Sequence, residues 1–223
     1  MVWPTALTWL YFVALADEPT ALQQGVYAVG KTLQFALPAA WLLLACHRPR
    51  FDGRWTAGTS AGAALGAVIL AVMLLGYFGW FNQYDSMRAA GPRLAVRLSR
   101  FGMGSPAAFI AAGAFYSAIH SLLEEYYWRW FVFGRLREHV SDATAVALSS
   151  LAFMAHHIVL LATFFGWCTP ATWLFSLAVA VGGAMWAALY ARSGSLVGPW
   201  LSHAMADAGI FIVGYDLLRG AGV

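Results

Sequence analysis

The 223-residue chain is 61% hydrophobic and only 10% charged, with a positive mean hydropathy and a net charge of +3. Soluble domains average about a quarter charged residues, so this composition excludes a water-soluble globular domain and reads as an integral membrane protein. A charge balance this small gives no basis for nucleic-acid binding, and the sequence is expected to form one transmembrane domain over 1–223, with lipid as its surroundings.

Apolar segments fall near 4–16, 22–46, 57–81, 106–133, 145–166, 171–191 and 196–218. Most approach or exceed the about 20 residues that cross a hydrocarbon core of about 30 Å. The expected fold class is all-α: a polytopic helical bundle of about six to eight transmembrane helices. The first segment is short and is closed by "ADEPT", whose Asp17-Glu18-Pro19 stops a helix, so a re-entrant or tilted element is expected rather than a signal peptide. The second carries Lys31, which is expected to snorkel or to pair. After it comes the basic stretch "HRPRFDGR" (47–54).

The third segment opens with "AGTSAGAALGAV", whose small residues permit close helix packing. Between the third and fourth lies "MRAAGPRLAVRLSRF", in which Arg93, Arg97 and Arg100 recur at helical spacing while Leu94, Leu98 and Phe101 fall on the other side. This pattern predicts an amphipathic helix lying in the membrane plane. Cys46 and Cys168 stand in different segments without metal-type spacing and are expected to pack rather than to form a disulfide or bind zinc. Arginines divide six (48, 50, 54, 135, 137, 192) against five (88, 93, 97, 100, 219) between the two sides. That leaves orientation nearly balanced, with a cytoplasmic N-terminus preferred.

Ionisable groups inside the spans are concentrated. Apart from Lys31 they are His120, Glu124, Glu125 and Arg129 in the fourth segment, His156 and His157 in the fifth, and His203 and Asp207 in the seventh. A charge near the bilayer centre costs about 2.5–3.5 kcal/mol on insertion scales, so three helices are expected to converge on one polar site. In "SLLEEYYWRW" residues four apart share a face, and Glu125 is expected to pair with Arg129. Glu124 is rotated by about 100°, has His120 one turn before it, and is expected to lack an adjacent cation, as suits a general acid or base. The alternative for these residues is a structural polar clamp. In "FMAHH", Phe153 and His157 share a face and His156 is expected to point elsewhere. In "HAMAD", His203 and Asp207 are four apart and are expected to hydrogen-bond, fixing the imidazole.

Taken in order, EExxxR, FxxxH and HxxxD resemble the CPBP family of intramembrane proteases, also called Abi, which includes the type II CAAX prenyl proteases. The resemblance covers about 106–218. It implies a membrane-embedded endopeptidase in which Glu124 activates water, His157 and His203 shape and polarise the site, and Glu125, Arg129 and Phe153 support it. Asp207 stands where the family has Asn or Asp. An ionised Asp cannot donate a hydrogen bond to an oxyanion as Asn can, so its expected role is to orient His203. No cofactor is expected. The zinc-dependent alternative would use Glu124, His157 and His203 as three ligands, but the chain lacks the H-E-x-x-H pattern of zinc peptidases.

The resemblance further implies a membrane-anchored or lipid-modified protein or peptide as substrate. A small chain rich in Ala, Gly, Trp and Arg looks like a bacterial member of the cytoplasmic membrane acting on a hydrophobic C-terminal anchor, with a prenylated tail as the alternative. Two other classes stay open: a non-catalytic immunity or scaffold protein, and a proton-coupled transporter, which would show repeat symmetry or broken helices.

Overall fold

The structure is a computed structural model and describes residues 1–44 and 58–222. Among these residues the chain is helical and has no strand, as an all-α bundle requires. The basic stretch 47–54 and Cys46 lie outside the described residues. Cys168 is a free, exposed thiol.

Eight helices of more than two turns follow one another: α1 (Val2–Ala14), α2 (Thr20–Leu44), α3 (Thr59–Gly79), α4 (Ala90–Arg100), α5 (Pro106–Leu136), α6 (Asp142–Phe165), α7 (Pro170–Ser193) and α8 (Val197–Gly220). Their starts are written locally. Pro106 and Pro170 occupy the first turns of α5 and α7, where a missing N–H costs nothing. Ser105, Ser141 and Thr169 cap α5, α6 and α7 by accepting from the backbone N–H three residues on. Gly194, with φ of 67°, ends α7 in the left-handed region.

Among the described residues five helices, α3 and α5 to α8, are long and apolar enough to cross a membrane. As expected, α1 is short. With 25 residues α2 is long enough, but Gln23, Gln24, Lys31 and Gln34 dilute its hydropathy. Its Gln23 side chain turns back to donate to the carbonyls of Ala16 and Glu18 (3.2 and 2.8 Å), satisfying the "ADEPT" loop. The amphipathic α4 packs Leu94 and Leu98 with Phe109, Phe211 and Leu218. Its arginines tie down neighbouring chain ends: Arg93 donates to the Phe164 carbonyl at 2.7 Å and Arg100 to that of Ala16 at 3.1 Å.

Two helix pairs build the frame, α3 with α8 and α6 with α7. In the first, Gly62 lies directly on the Gly198 backbone, and a Cβ on Gly66 would come within 2.7 Å of Met205 Sδ and 2.9 Å of Ser202 Cα. The small residues of "AGTSAGAALGAV" thus do what lipid-embedded packing asks of them, since close backbone approach replaces the hydrophobic effect there. Between the two pairs runs α5, which meets α6, α7 and α8. Its buried Tyr127, Trp128 and Val132 form a core with Phe153, Trp186 and Ala206.

Candidate active site

The middle of α5 holds both carboxylates. An α-helical turn, Ser121–Glu125, is flanked by wider π-helical turns over Tyr116–His120 and Tyr126–Phe133, a local widening often found at functional sites. Glu124 and Glu125 are both buried, at 4% and 0% exposure. Burial this deep is tolerable only where the charges meet partners.

Glu125 has two such partners. Its Oε2 lies 3.2 Å from Arg129 Nε, so the ion pair expected from the four-residue spacing is formed. Its Oε1 accepts from His203 Nδ1 at 2.7 Å, a contact between helices α5 and α8 that the spacing did not predict. Arg129 is enclosed in turn. It donates to the Gly183 carbonyl at 3.3 Å, and its guanidinium sits 4.7 Å from the Phe153 ring centre and 5.2 Å from that of Trp186. Trp186 stacks on His203 with centroids 4.1 Å apart and donates to Ser202 Oγ at 2.9 Å. The sixth apolar segment, which has no ionisable group inside the span, therefore contributes an indole and a carbonyl to the site.

Glu124 sits in different surroundings, and two expectations are corrected there. It does not lack a cation: Lys31 Nζ, reaching in from α2, is 3.8 Å from Oε1. Nor does His156 point elsewhere; its Nε2 is also 3.8 Å from Oε1, because α6 packs closely enough on α5 for both adjacent histidines to reach the carboxylate. His120 Nε2 stands 3.9 Å from Oε1 and His203 Nε2 3.9 Å from Oε2. Phe153 and His157 share a face as expected: His157 Nδ1 donates to the Phe153 carbonyl at 2.9 Å, and the rings are 4.6 Å apart. The hydrogen bond expected between His203 and Asp207 is not made, since Nε2 and Oδ1 are 3.7 Å apart. Glu125 orients His203 instead, being both nearer and on the buried side of the ring.

These partners fix the proton positions. A backbone carbonyl and an ionised carboxylate only accept, so Nδ1 carries the proton in His157 and in His203. In the neutral imidazoles Nε2 is then a lone pair available to the site. Four nitrogens stand 3.8–3.9 Å from the Glu124 carboxylate, beyond direct hydrogen-bond distance. Among the described residues, His120 Nε2 and both ring nitrogens of His156 are buried without a hydrogen-bond partner.

The same geometry offers donor atoms for a metal. Glu124, His156 and His157 place one ligand atom each within 4.8 Å of one another, so His156 takes the place expected for His203 in a three-ligand set. The carbonyl behind His157 is the kind of outer partner that metal-bound histidines use. The residues therefore fit a zinc ion in chemistry and number.

Three contributors to the site lie outside the three motifs or their expected faces. Lys31 is the only lysine in the chain, and its position in an apolar stretch was a usable signal. His156 lies out of phase with Phe153 and His157 on its own helix, so helical spacing alone does not bring it to Glu124. Trp186 carried no signal, because an indole in a membrane helix is unremarkable until its neighbour is known.

No curated protein and no solved structure matches the chain. Residues 106–209 match the family model described as "Type II CAAX prenyl endopeptidase Rce1-like". The match runs from the start of α5 into α8 and bears out the resemblance carried by EExxxR, FxxxH and HxxxD, while Lys31 and all of α1 to α4 lie outside it. Over residues 106–209 this integral membrane protein is thus similar to the Rce1-like type II CAAX prenyl endopeptidases.

Proposed function

We propose that the protein is an intramembrane endopeptidase in which Glu124 activates water to cleave a peptide bond at or near the C-terminal tail of a membrane-anchored substrate. The observation that carries this reading is the setting of Glu124: a buried carboxylate ringed by four nitrogens at 3.8–3.9 Å, none close enough to hydrogen-bond it directly. A general base must stand within one hydrogen bond of the proton it removes. In the cleavage step the water oxygen bonds to the scissile carbonyl carbon, its proton passes to Glu124, and the carbonyl electron pair becomes an oxyanion. Collapse breaks the C–N bond, and the Glu124 proton goes to the leaving amine. The lone pairs of His157 and His203 hold the water's second hydrogen and its orientation.

Depth supports the substrate class. Glu124 lies about 27 Å along α5 at 1.5 Å per residue, far from either end of that helix. A bond that reaches it must be carried into the bilayer, which suits a hydrophobic C-terminal anchor on a partner protein. A prenylated C-terminal tail, the substrate named in the family's description, is the alternative.

A zinc-dependent version is favoured by one observation, the donor set of Glu124, His156 and His157. Bound there, zinc would polarise the carbonyl and acidify water. Lys31 weighs against it, since an ammonium 3.8 Å from Glu124 Oε1 repels a divalent cation at the same carboxylate. The metal-free mechanism is therefore preferred. Cleavage of hydrophobic-tail and prenylated-tail peptides by the reconstituted protein tests the proposal. Wild type is expected to cleave and Glu124→Gln to fall by at least about 10²-fold, the usual worth of a general base; cleavage retained in Glu124→Gln would refute it.

A further inference from the structure

Among the groups near Glu124, His157, His203 and Asp207 present acceptors, while His120 Nε2 and both His156 ring nitrogens are buried without a hydrogen-bond partner. His157 and His203 have their Nδ1 protons committed to the Phe153 carbonyl and to Glu125, so as neutral rings they turn lone pairs to the site. Asp207 in its ionised form only accepts. His156 is stacked on Trp128 with planes 6° apart and lies deep in the bundle. A tetrahedral intermediate formed beside Glu124 nevertheless needs a donor for its negative oxygen, aimed at it from about 2.7–3.1 Å.

Lys31 meets that need. Its ammonium has three N–H groups and no acceptor, stands 3.8 Å from Glu124 Oε1, and rests against the faces of Phe35 and Tyr27 at 5.4 and 5.9 Å. Its side chain is 17% exposed against 5% for Glu124. All twelve remaining cationic side chains are arginines. The one lysine, a compact charge able to turn its protons toward a small oxygen, is the one beside the base.

We propose that Lys31 is a catalytic residue that donates to the carbonyl oxygen of the scissile bond and stabilises the oxyanion, a role supplied from outside the family-matched segment. The inference rests on the reading of Glu124 as the base. When the carbonyl electron pair moves to oxygen, the Lys31 N–H shortens onto it without transferring its proton; when the C–N bond breaks, the pair returns and Lys31 is unchanged. An alternative role, neutralising Glu124 so that lipid tolerates it, makes Lys31 structural.

Kinetics on the reconstituted full chain with a cleavable tail peptide separate these roles. Lys31→Met is expected to lower kcat by about 10²–10³, the usual loss for one oxyanion donor, with KM changed less than about threefold and the thermal midpoint preserved. Lys31→Arg keeps the charge in a planar, bulkier form and is expected to retain more kcat than Lys31→Met. Ethylamine added to Lys31→Ala is expected to restore part of kcat in a saturable way. A kcat in Lys31→Met near wild type, a loss confined to KM, or a lowered thermal midpoint without amine rescue overturns the assignment. Glu124→Gln is run alongside: inactive Glu124→Gln with fully active Lys31→Met removes only the Lys31 proposal, whereas active Glu124→Gln removes the underlying reading as well.

Discussion

Glu125 Oε1 and His203 Nδ1, brought together from helices 78 residues apart in sequence, meet at 2.7 Å while Glu125 Oε2 faces Arg129 at 3.2 Å. One carboxylate thereby neutralises a cation on its own helix and sets the tautomer of a histidine on another. Removing it should have separable consequences.

Glu125→Ala leaves the Arg129 guanidinium buried and uncompensated. Breaking such a pair from one side costs about 3–5 kcal/mol, and thermal unfolding in detergent should register it. The double variant Glu125→Leu with Arg129→Met should recover much of that stability, because a well-packed apolar pair replaces a buried ionic one at little cost. Cleavage should not recover with it, since His203 is left without the group that orients it.

Asp207 and Glu125 can be ranked by the same histidine. At 3.7 Å Asp207 makes no hydrogen bond to His203, so Asp207→Asn should keep cleavage within about tenfold of wild type. Loss of His203 in His203→Ala should cost about 10²-fold or more, in line with acid–base groups elsewhere. Equal losses in the two variants, measured as kcat on the same peptide, would contradict the ranking.

Gly62 and Gly66 test the packing of α3 on α8. A Cβ at Gly62 would run deep into the Gly198 backbone, which has no rotamer to yield, whereas at Gly66 it would meet the flexible Met205 thioether at 2.7 Å and backbone only at 2.9 Å, the Ser202 Cα. Gly62→Ala should therefore destabilise by about 1–3 kcal/mol, the usual range for overpacking, and Gly66→Ala by less. Thermal midpoints of the two variants in one detergent give the comparison.

Metal dependence has a direct readout. Under the glutamate mechanism, cleavage should survive a strong chelator, and elemental analysis of purified protein should find less than stoichiometric zinc. Stoichiometric zinc, with activity lost on chelation and regained on zinc addition, would instead establish the Glu124, His156 and His157 donor set as a working metal site.

Features governed by neighbours along the chain were legible in the sequence. The seven apolar segments, the amphipathic α4, the Glu125 and Arg129 pair, and the Phe153 and His157 contact all depend on helical period and on spacings of a few residues. Whatever depends on which helix lies beside which was not. Phase alone turned His156 away from Glu124, yet neighbours 100° apart on one helix can both reach a group when another helix packs into the angle between them. The spacing of His203 and Asp207 allowed a bond that Glu125, from another helix, made instead. Lys31 and Trp186 entered through contacts no motif encodes.

The π-helical turns on either side of Ser121–Glu125 bear on how α5 tolerates change. Ahead of the first, Gly113 lies against Phe211 of α8; within the second, Phe133 packs with Ala145 of α6 and Ala187 of α7. A wide turn holds one residue more than an α-turn, and each such residue shifts the phase of all that follows by about 100°. The two halves of one helix thus present their buried sides to different partners, with the carboxylates at the crank between them. Residue count across 116–133 is accordingly as constrained as residue identity: a single deletion there re-phases one half of the helix against its partners, while substitutions on the lipid side leave the phase untouched.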